Sequence, residues 1–395
     1  MNDENFNNTY ICGYSRTPIG AFQGSLKSIS ATKLGSIVIE KLLSDIDKTN
    51  INQVIMGNVL SSGLGQAPAR QAALGAGLPY SVECMTINKV CGSGLKSVML
   101  ADESIKVNNL DVIVAGGMEN MSLAPHYIER SRTGLMFGHN KMIDSILKDG
   151  LWDPYNNFAM GNCGEVLCKE NKYTKDMQDD FAIKSYEKSN YAIENNLFKD
   201  EIVGVEIKNK KEKSLFSVDE EPLRFNKDKL KMLRPAFDKD GTITAGNASS
   251  LSDGAAAVSV CSNDFVSKNQ IKPIAKILGH VSFAMEPLYF TKAPIYAIKK
   301  LLNKIDFDIN SIDLFEINEA FSCVVMAAID ELKISHDKVN VNGGAVSMGH
   351  PIGASGTRIL VTLLNALKLR GLKYGIACLC IGGGEASAML VEVCD

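Results

Sequence analysis

The two halves of this 395-residue chain carry a weak internal repeat, which constrains the fold more than any other feature of the sequence. In the first half, a β-branched run leads to Asn58, a turn-like block follows at Cys91, and a glycine-ended apolar run comes next. The same order recurs in the second half around Asn318 and His350. Asn58 and Cys91 are 33 positions apart, and Asn318 and His350 are 32 apart. Similar blocks at nearly equal spacing predict two copies of one supersecondary unit.

Within each copy, short β-branched runs that end in glycine alternate with longer amphipathic stretches. This alternation is typical of βαβ units around a largely covered sheet. A chain of this length is also expected to hold two or more domains. We therefore predict an α/β fold of two related halves, with helices over residues 31–44, 95–107, 294–304, 320–332 and 355–369.

The stretch from about 121 to 245 differs from both copies. It is richer in Lys, Asn and Met, and it holds the only tryptophan, Trp152. We interpret it as an insertion between the last two strands of the first copy, and insertions on a rigid scaffold tend to carry binding loops. The predicted organisation is a first core half at 1–120 completed by 246–272, an inserted loop domain at 121–245 and a second core half at 273–395.

Charge and hydropathy exclude several classes of protein. A net charge of −3 gives no global basic field to attract nucleic acid or an anionic membrane. No apolar run reaches the roughly 18–20 residues of a membrane span. The acidic, amide-rich start of the chain lacks the features of a signal or transit peptide. We therefore expect a cytoplasmic enzyme that binds neither nucleic acid nor membrane.

The ten cysteines are not spaced for a disulfide framework or a metal site. A long chain in a reducing compartment is not expected to depend on disulfides. The sequence has no CxxC pair, and no histidine pair at helical spacing joins the cysteines. Most of them are expected to be small buried hydrophobic residues, and we predict no bound metal.

Cys91 lies between small residues, where a β-rich stretch gives way to a helical pattern. A thiol at such a strand-to-helix turn meets the positive end of the helix dipole, which predicts a lowered pKa and thiolate character. Gly92 and Gly94 would let a substrate approach the backbone closely. A buried structural cysteine at a tight turn explains this local context equally well.

His350 lies among five glycines at 342–356, just before a predicted helix, which is the setting of a functional loop. Such surroundings are absent from the other four histidines, His126, His139, His280 and His336. A cysteine and a histidine at matching places in two repeat copies would converge across a pseudo-two-fold axis. That is the nucleophile–base arrangement that acyl transfer needs.

Two further polar residues of the second half follow the same pattern. Cys380 precedes three glycines at the end of an apolar strand, and its thiolate could serve as a base toward a carbon-bound proton. Asn318 follows a β-rich run, and its amide can position a water or donate to an oxyanion. Taken singly, both residues are more often structural than catalytic.

Together these blocks resemble the thiolase family over nearly the whole chain. The resemblance begins with Ser-Arg-Thr-Pro-Ile-Gly at 15–20 and continues with Val-Cys-Gly-Ser-Gly at 90–94. The second half adds Asn-Glu-Ala-Phe at 318–321, Gly-His-Pro-Ile-Gly at 349–353 and Cys-Ile-Gly-Gly-Gly at 380–384. The biosynthetic branch, which forms acetoacetyl-CoA, is the most similar part of the family.

The resemblance implies a reaction in two stages. Cys91 would take an acetyl group from one acetyl-CoA, with His350 accepting the thiol proton. Cys380 would then deprotonate the methyl carbon of a second acetyl-CoA, and the carbanion would attack acyl-Cys91. The reverse reaction cleaves acetoacetyl-CoA. His350 with a water on Asn318 would form one oxyanion hole, and the N–H groups of Cys91 and Gly382 would form the other.

The resemblance also implies the fold, the ligands and the assembly. Thiolase-like folds have two repeated βαβαβαββ halves in a five-layer arrangement, with an inserted CoA-binding loop domain. Coenzyme A is substrate and product, so no cofactor is expected, and the expected partners are acyl-CoA thioesters and further copies of the chain in a homotetramer. The positions that match the CoA contacts of the family are Leu151, Met160, Arg224, Phe237, Ala245, Ser249, Leu251, Phe290, Ala320 and Phe321.

Alternatives stay open at this point. A degradative 3-ketoacyl-CoA thiolase would run the same chemistry on longer chains. Condensing enzymes that use an acyl carrier protein share the fold, but they generally need two histidines where this chain has Asn318 and His350. The complete set of site residues argues against a catalytically silent lipid carrier. Ala159 stands where the family usually has histidine. Its smaller side chain would leave space beside the acyl pocket, which predicts tolerance of somewhat bulkier acyl units.

Overall fold

The structure, a computed structural model, describes residues 8–44, 46–208 and 213–394. The first seven residues, on which the prediction of no targeting segment partly rests, lie outside this part of the chain. Within the described residues, no helix combines the length and the apolar character that crossing a membrane requires. The same residues contain no group of three His, Cys, Asp or Glu side chains that could hold a metal ion.

The first half alternates strands and helices as the repeat predicts. Helix α1 begins after Ser30, whose side chain accepts the Lys33 N–H and so caps the helix. The elements are β1 (Thr9–Arg16), β2 (Gly20–Ala21), α1 (Ala31–Leu42), β3 (Ile51–Gly57), α2 (Pro68–Gly75), β4 (Glu83–Ile87), α3 (Ser93–Asn108) and β5 (Val112–Asn120).

The inserted segment has short strands around two longer helices, and its strands pair only with one another in the part of the chain described. Its elements are β6 (His126–Tyr127), β7 (Ile143–Asp144), β8 (Trp152–Asp153), β9 (Phe158–Ala159), α4 (Met160–Asn171), α5 (Lys175–Glu194), β10 (Val205–Lys208), β11 (Lys213–Phe216) and α6 (Lys227–Lys231). The chain then returns to the main sheet through β12 (Ser252–Ser262), followed by α7 (Asn263–Lys268).

The second half repeats the alternation. Its elements are β13 (Ala275–Ala284), α8 (Ala293–Ile305), β14 (Leu314–Ile317), α9 (Ser322–Leu332), α10 (Ala345–Met348), α11 (Ser355–Arg370), β15 (Tyr374–Ile381) and β16 (Glu385–Val393). All five helices predicted from periodicity are present, as α1, α3, α8, α9 and α11, and their ends lie within two residues of the predicted ones.

The two halves contribute matching parts of one continuous sheet. Its order is β14-β15-β16-β13-β1-β12-β5-β3-β4, with β2 paired to β12. The halves join where β1 meets β13, through the pairs Tyr10↔Lys276 and Ile11↔Ala275. Strand β3 is parallel to β5, as β14 is to β15. Among the described residues, the second half has no counterpart of β4, and an isolated bridge from Phe315 to Val339 takes its place.

Helices α3 and α11 lie at the centre of the molecule, where each contacts strands of both halves. Helices α1 and α2 cover the outer face of the first half, and α8 and α9 cover that of the second. The strands of the first half lie between α1–α2 and the central helices, and those of the second half lie between the central helices and α8–α9. The molecule therefore has five layers, three of helices and two of strands, which confirms the predicted fold. The first turns of α3 and α11 touch, because a side chain at Gly94 would lie 2.7 Å from the Thr357 N, and one at Gly356 would lie 2.3 Å from the Leu95 N. The loops that precede both helices therefore meet at the centre.

Candidate active site

Cys91 precedes α3 in a strained turn. Val90 has a φ of 47°, a left-handed conformation that is rare for a β-branched residue. The Ser93 hydroxyl donates to the Val90 carbonyl over 2.7 Å and accepts the Lys89 N–H over 2.8 Å. The Asn88 side chain accepts the Val90 N–H over 2.9 Å. Strain persists where surrounding contacts hold it, and these contacts fix the backbone of the cysteine.

The thiol of Cys91 faces the end of β15 in the second half. The N–H of Gly382 and the backbone N–H of Cys91 itself lie near enough to the sulfur to lower its pKa, and the Cys380 thiol lies close enough to interact with it electrostatically. Burial raises the pKa of Cys91 to about 11, although the two N–H groups lower it in part. The lowered pKa predicted from the helix dipole is therefore wrong. The free energy lost when the thiolate leaves water is larger than the stabilisation that the helix end and the N–H groups provide. Cys91 therefore rests as a thiol.

Cys380 lies at the end of β15, where its backbone pairs with Ala386 of β16. The side chain is fully buried. Burial, and then the neighbouring Cys91, raise the pKa of Cys380 well above its ordinary value. A thiol in this setting is a weak acid, and its thiolate, once formed, is correspondingly a strong base.

His350 is buried and held by the first turn of α11. Its Nδ1 lies 2.6 Å from the Ser355 hydroxyl, which donates to the Pro351 carbonyl over 2.9 Å. A hydroxyl has one proton, so Ser355 accepts Nδ1–H, and Nε2 carries the free lone pair. Burial, and next the charge of Arg358, lower the pKa of His350 to about 3. The imidazole is therefore neutral, with Nε2 able to accept a proton.

Asn318 follows β14 and lies beside this imidazole. Its Nδ2 is 3.4 Å from the His350 Nε2. Its Oδ1 accepts from Nη2 of the buried Arg358 over 3.5 Å. A guanidinium can only donate, so it fixes the orientation of the amide and turns Nδ2 toward the histidine.

The structure brings the five predicted catalytic residues to the meeting point of the two halves, as two groups: Cys91, Cys380 and Gly382 in one, and His350 with Asn318 in the other. Ile352, two residues after His350, belongs to an apolar cluster against which Cys91 packs. A thiol, a neutral imidazole and a pair of backbone N–H groups are the components of acyl transfer through cysteine. The individual roles of these residues stay predictions.

Seven of the ten predicted CoA contacts lie in apolar clusters next to these groups. Leu151 and Leu251 pack with Ile352. The others share a cluster with Cys380: Met160, Phe237, Phe290, Ala320 and Phe321. Met160 also reaches the loop after β15, because a side chain at Gly382 would lie 3.4 Å from its Cε. We call these seven residues the apolar wall; they belong to the cluster that contains Cys380 or to the one against which Cys91 packs.

The remaining three predicted contacts are placed differently. Ser249 donates its N–H to the Ala320 carbonyl over 3.0 Å, so it adjoins the same wall. Ala245 is exposed. Arg224 is also exposed and forms ion pairs with Glu220 at 2.7 Å and Glu221 at 3.5 Å. An Arg224 that binds a phosphate of CoA would have to exchange these carboxylates for it.

Three residues that support the site were missed from the sequence: Glu119, Ser355 and Arg358. The repeat contained a signal for Glu119, because this residue holds in β5 the position that Cys380 holds in β15. Ser355 and Arg358 lie in a helix that is buried on all sides along most of its length, where the sequence pattern does not separate them from core residues.

Two family models match the chain: Thiolase, N-terminal domain, over residues 9–264 and Thiolase, C-terminal domain, over residues 271–393. The chain belongs to the thiolase family. The family predicted from the motifs is thereby confirmed, and together the two models span this thiolase almost from end to end.

Relatives and solved structures agree with this assignment. This thiolase is 49% identical to acetyl-CoA acetyltransferase 2 of Arabidopsis thaliana, over 97% of the chain and 96% of the relative. It is 50% identical to acetyl-CoA acetyltransferase of Yarrowia lipolytica, over 98% and 96%. Acat5 thiolase of Ascaris suum, solved in complex with coenzyme A, has a TM-score of 0.93 at 42% identity and covers 98% of this chain and 100% of its own. The acetyl-CoA acetyltransferase of Bacillus anthracis has a TM-score of 0.96 at 37% identity, over 98% and 99%.

Proposed function

We propose that this thiolase is an acetyl-CoA C-acetyltransferase, which condenses two molecules of acetyl-CoA to acetoacetyl-CoA and catalyses the reverse thiolysis. The observation that carries the proposal is the meeting of two thiols, Cys91 and Cys380, beside the N–H of Gly382. One thiol can hold an acyl group while the other removes a proton from carbon, and simple acyl transfer would need only the first. The relatives named acetyl-CoA acetyltransferase support acetyl-CoA as the substrate.

In the first stage the sulfur of Cys91 attacks the thioester carbon of acetyl-CoA. Its proton passes to Nε2 of His350, whose neutral form is set by burial. The backbone N–H groups of Cys91 and Gly382 face the reacting sulfur and stabilise the oxyanion. The bond from the acetyl carbon to the CoA sulfur then breaks, and the leaving thiolate takes the proton from His350. The products are acetyl-Cys91 and free CoA.

In the second stage His350, neutral again after the first stage, accepts the proton of the Cys380 thiol. The Cys380 thiolate then removes a proton from the methyl group of a second acetyl-CoA. His350 and a water held by Asn318 stabilise the enolate oxygen. The carbanion forms a bond to the acyl carbon of acetyl-Cys91, and the bond from that carbon to sulfur breaks. The released thiolate of Cys91 takes the proton from His350, and Cys380 keeps the proton it removed from carbon, which returns all three residues to their starting forms.

The proposed function is tested directly by thiolysis. Purified protein with CoA and acetoacetyl-CoA should consume the acetoacetyl-CoA, followed as loss of its absorbance. Incubation with labelled acetyl-CoA alone should place the label on the peptide that contains Cys91, as read by mass spectrometry. No thiolysis, or label on another cysteine with Cys91 unmodified, would overturn the assignment.

The second candidate is a degradative 3-ketoacyl-CoA thiolase of broader chain length. It uses the same chemistry, and the apolar wall of Met160, Phe237, Phe290 and Phe321 offers apolar contacts for a longer acyl chain. Thiolysis rates with 3-ketoacyl-CoA substrates of increasing length separate the two. Activity that falls steeply beyond acetoacetyl-CoA supports the acetyltransferase, and a flat profile supports the degradative enzyme.

Acyl-CoA thioesters are the proposed small-molecule partners, with the insertion holding CoA and no cofactor taking part. The adjoining positions of Leu151, Leu251, Met160 and Ser249 support a pantetheine path toward the two thiols. The Acat5 thiolase of Ascaris suum was solved in complex with coenzyme A, which agrees with this ligand. If CoA binds along this path, it should protect Cys91 from alkylation by iodoacetamide, and no protection would contradict the path.

A homotetramer is the proposed assembly. Strand β4 lies at the end of the sheet, and an unpaired strand edge favours pairing with another chain. Met85 on β4 is exposed, and so are Leu135, Met136 and Phe137 of the insertion. Separate exposed apolar surfaces suit an assembly with two kinds of contact. Light scattering after size exclusion should give four times the mass of the chain.

The proposed compartment is the cytoplasm. Cys163, Cys261 and Cys378 are among several buried cysteines that are present as thiols, and a chain with many thiols would be prone to oxidation in an oxidising compartment. A fluorescent fusion at the C-terminus, imaged in cells of the source organism, tests this placement, and accumulation of the fusion in an organelle would contradict it.

A further inference from the structure

Glu119 is a buried carboxylate that no step of the proposed reaction uses. It lies near the end of β5 and is fully buried. Its Oε1 accepts from Nδ2 of Asn58 over 2.7 Å and from the Leu60 N–H over 3.1 Å. Its Oε2 accepts the N–H of Val59 over 3.0 Å and the N–H of Gly353 over 2.9 Å. Four donors therefore converge on one carboxylate.

These four donors come from two loops that flank the reacting thiol. Val59 and Leu60 belong to the apolar cluster against which Cys91 packs. Gly353 ends the short loop that begins at His350. Glu119 therefore connects the 58–60 loop, which lies beside Cys91, to the 350–353 loop, which carries His350.

The loop of the histidine approaches the first half so closely that side chains do not fit. A Cβ on Gly353 would lie 2.6 Å from Oε2 of Glu119. The carbonyl oxygen of Gly353 would lie 2.0 Å from a Cβ on Gly117 and 2.7 Å from a Cβ on Gly57. The loop is thus seated on the ends of β3 and β5, and Glu119 supplies the hydrogen bond that holds it there.

We propose that Glu119 is a positioning residue for His350: its carboxylate holds the 350–353 loop at the distance from Cys91 that proton transfer requires. The inference rests on the proposed function, since it assumes that His350 accepts a proton from Cys91. Burial raises the pKa of Glu119 to about 7, although the N–H groups of Val59, Leu60 and Gly353 favour its ionised form. Above this pH the carboxylate is charged, and hydrogen bonds to a charged acceptor are about twice as strong as neutral ones. A displacement of about 1 Å at a catalytic group can cost about 10²-fold in rate.

The test uses Glu119→Gln in the full chain. Glutamine has the same shape, but its NH₂ group faces N–H donors and cannot accept from them. We expect kcat for acetoacetyl-CoA thiolysis to fall about 10²-fold, the cost of a displaced catalytic group. KM for CoA should change less than about twofold, since CoA contacts lie elsewhere. Alkylation of Cys91 by iodoacetamide should not slow, because the charge of Glu119 helps to raise the pKa of Cys91 and its loss favours the thiolate.

A double-mutant cycle with His350→Gln separates positioning from general support of the fold. If Glu119 acts through His350, the double variant is no slower than His350→Gln alone. The matched control is Asp313→Asn, because Asp313 accepts the N–H groups of Lys373 and Tyr374 over 2.9 and 2.8 Å at the other end of β14 and β15. That variant should lose stability without losing kcat.

Several results would overturn the inference. Wild-type kcat in folded Glu119→Gln, or losses that multiply in the double variant, would show that Glu119 does not act through His350. Should Glu119→Gln fail to fold, Glu119→Asp carries the same cycle, because it keeps the charge but is too short to reach both loops. A wild-type protein without thiolysis would instead overturn the proposed function itself.

Discussion

The two halves of this thiolase share one scaffold and use its matching positions differently. The register of β3 on β5 matches that of β14 on β15. By this match Asn58 in the first half corresponds to Asn318 in the second, and Glu119 corresponds to Cys380. In the first half this pair is closed by a hydrogen bond of 2.7 Å. In the second half the amide turns to His350 and the thiol turns to Cys91. At this matched pair the first half supports the site and the second half keeps its polar groups available for chemistry, although the nucleophile Cys91 itself comes from the first half.

The turns before α3 and α11 differ in another way, because both of them contribute to the chemistry. Ser93 and Ser355 each begin their helix, so Cys91 corresponds to Gly353, two residues before the serine. The repeat spacing of 33 and 32 instead matched Cys91 with His350, which is wrong by three residues. The second copy has a longer loop here, and that loop carries the histidine. The halves thus contribute different chemical groups from one kind of turn.

The strongest test of this division is Cys380→Ser. If Cys380 only handles the proton on carbon, the variant should still acetylate Cys91 but lose condensation by about 10²–10⁴-fold, the usual weight of a positioned acid or base. The serine hydroxyl is too weak an acid to form the alkoxide that would have to act as the base. Mass spectrometry of labelled Cys91 and the rate of acetoacetyl-CoA formation measure the two stages separately. Equal loss in both stages would contradict the division.

Parallel alanine variants of Asn318 and Asn58 compare the matched amides. Asn318→Ala removes a donor beside His350 and should lower kcat by about 10²–10³-fold, the cost of one oxyanion donor. Asn58→Ala removes a donor from buried Glu119 and should instead lower the free energy of unfolding by about 1–3 kcal/mol, with a smaller loss of kcat. Urea denaturation and steady-state kinetics check both. Similar profiles for the two variants would show that the halves are not divided in this way.

The protonation states give a prediction about pH. With the pKa of Cys91 at about 11 and that of His350 at about 3, both groups are neutral between these values. The thiolate fraction, and with it the rate of alkylation by iodoacetamide, should rise about tenfold per pH unit from pH 7 to 10, because thiolate is the nucleophile. An ion pair of thiolate and imidazolium would instead give a rate that is level across this range.

The smallest expected effect concerns Ala159, which pairs with Trp152 just before α4. Ala159→His fills space near the apolar wall around Met160. The ratio of kcat/KM for 2-methylacetoacetyl-CoA to that for acetoacetyl-CoA should fall by no more than about tenfold, the lower end of what one methylene decides in an apolar pocket. If the ratio is unchanged, the insertion does not set acyl preference through this residue.

Much of the fold was predictable because its signals are local. Helices such as α8 and α11 follow from periodicity and from their flanking turns, and the repeat predicted that two halves would meet. That the described part of the second half lacks a counterpart of β4 was not predictable. A single bridge at Val339 stands in its place among these residues, and strand pairing depends on neighbours that are distant in the sequence.

The sequence by itself determined the family, the two-half architecture and the residues Cys91, His350, Cys380 and Asn318, because these stand in short motifs whose local turns and glycines are visible along the chain. The tertiary structure alone decided how those residues are protonated and what holds them. The pKa of Cys91 is raised rather than lowered, because burial by both halves outweighs the helix end. Glu119 binds the loop of His350 through Gly353, a partner 234 positions away. Desolvation and long-range hydrogen bonds depend on which segments come together in space, and no local pattern encodes that.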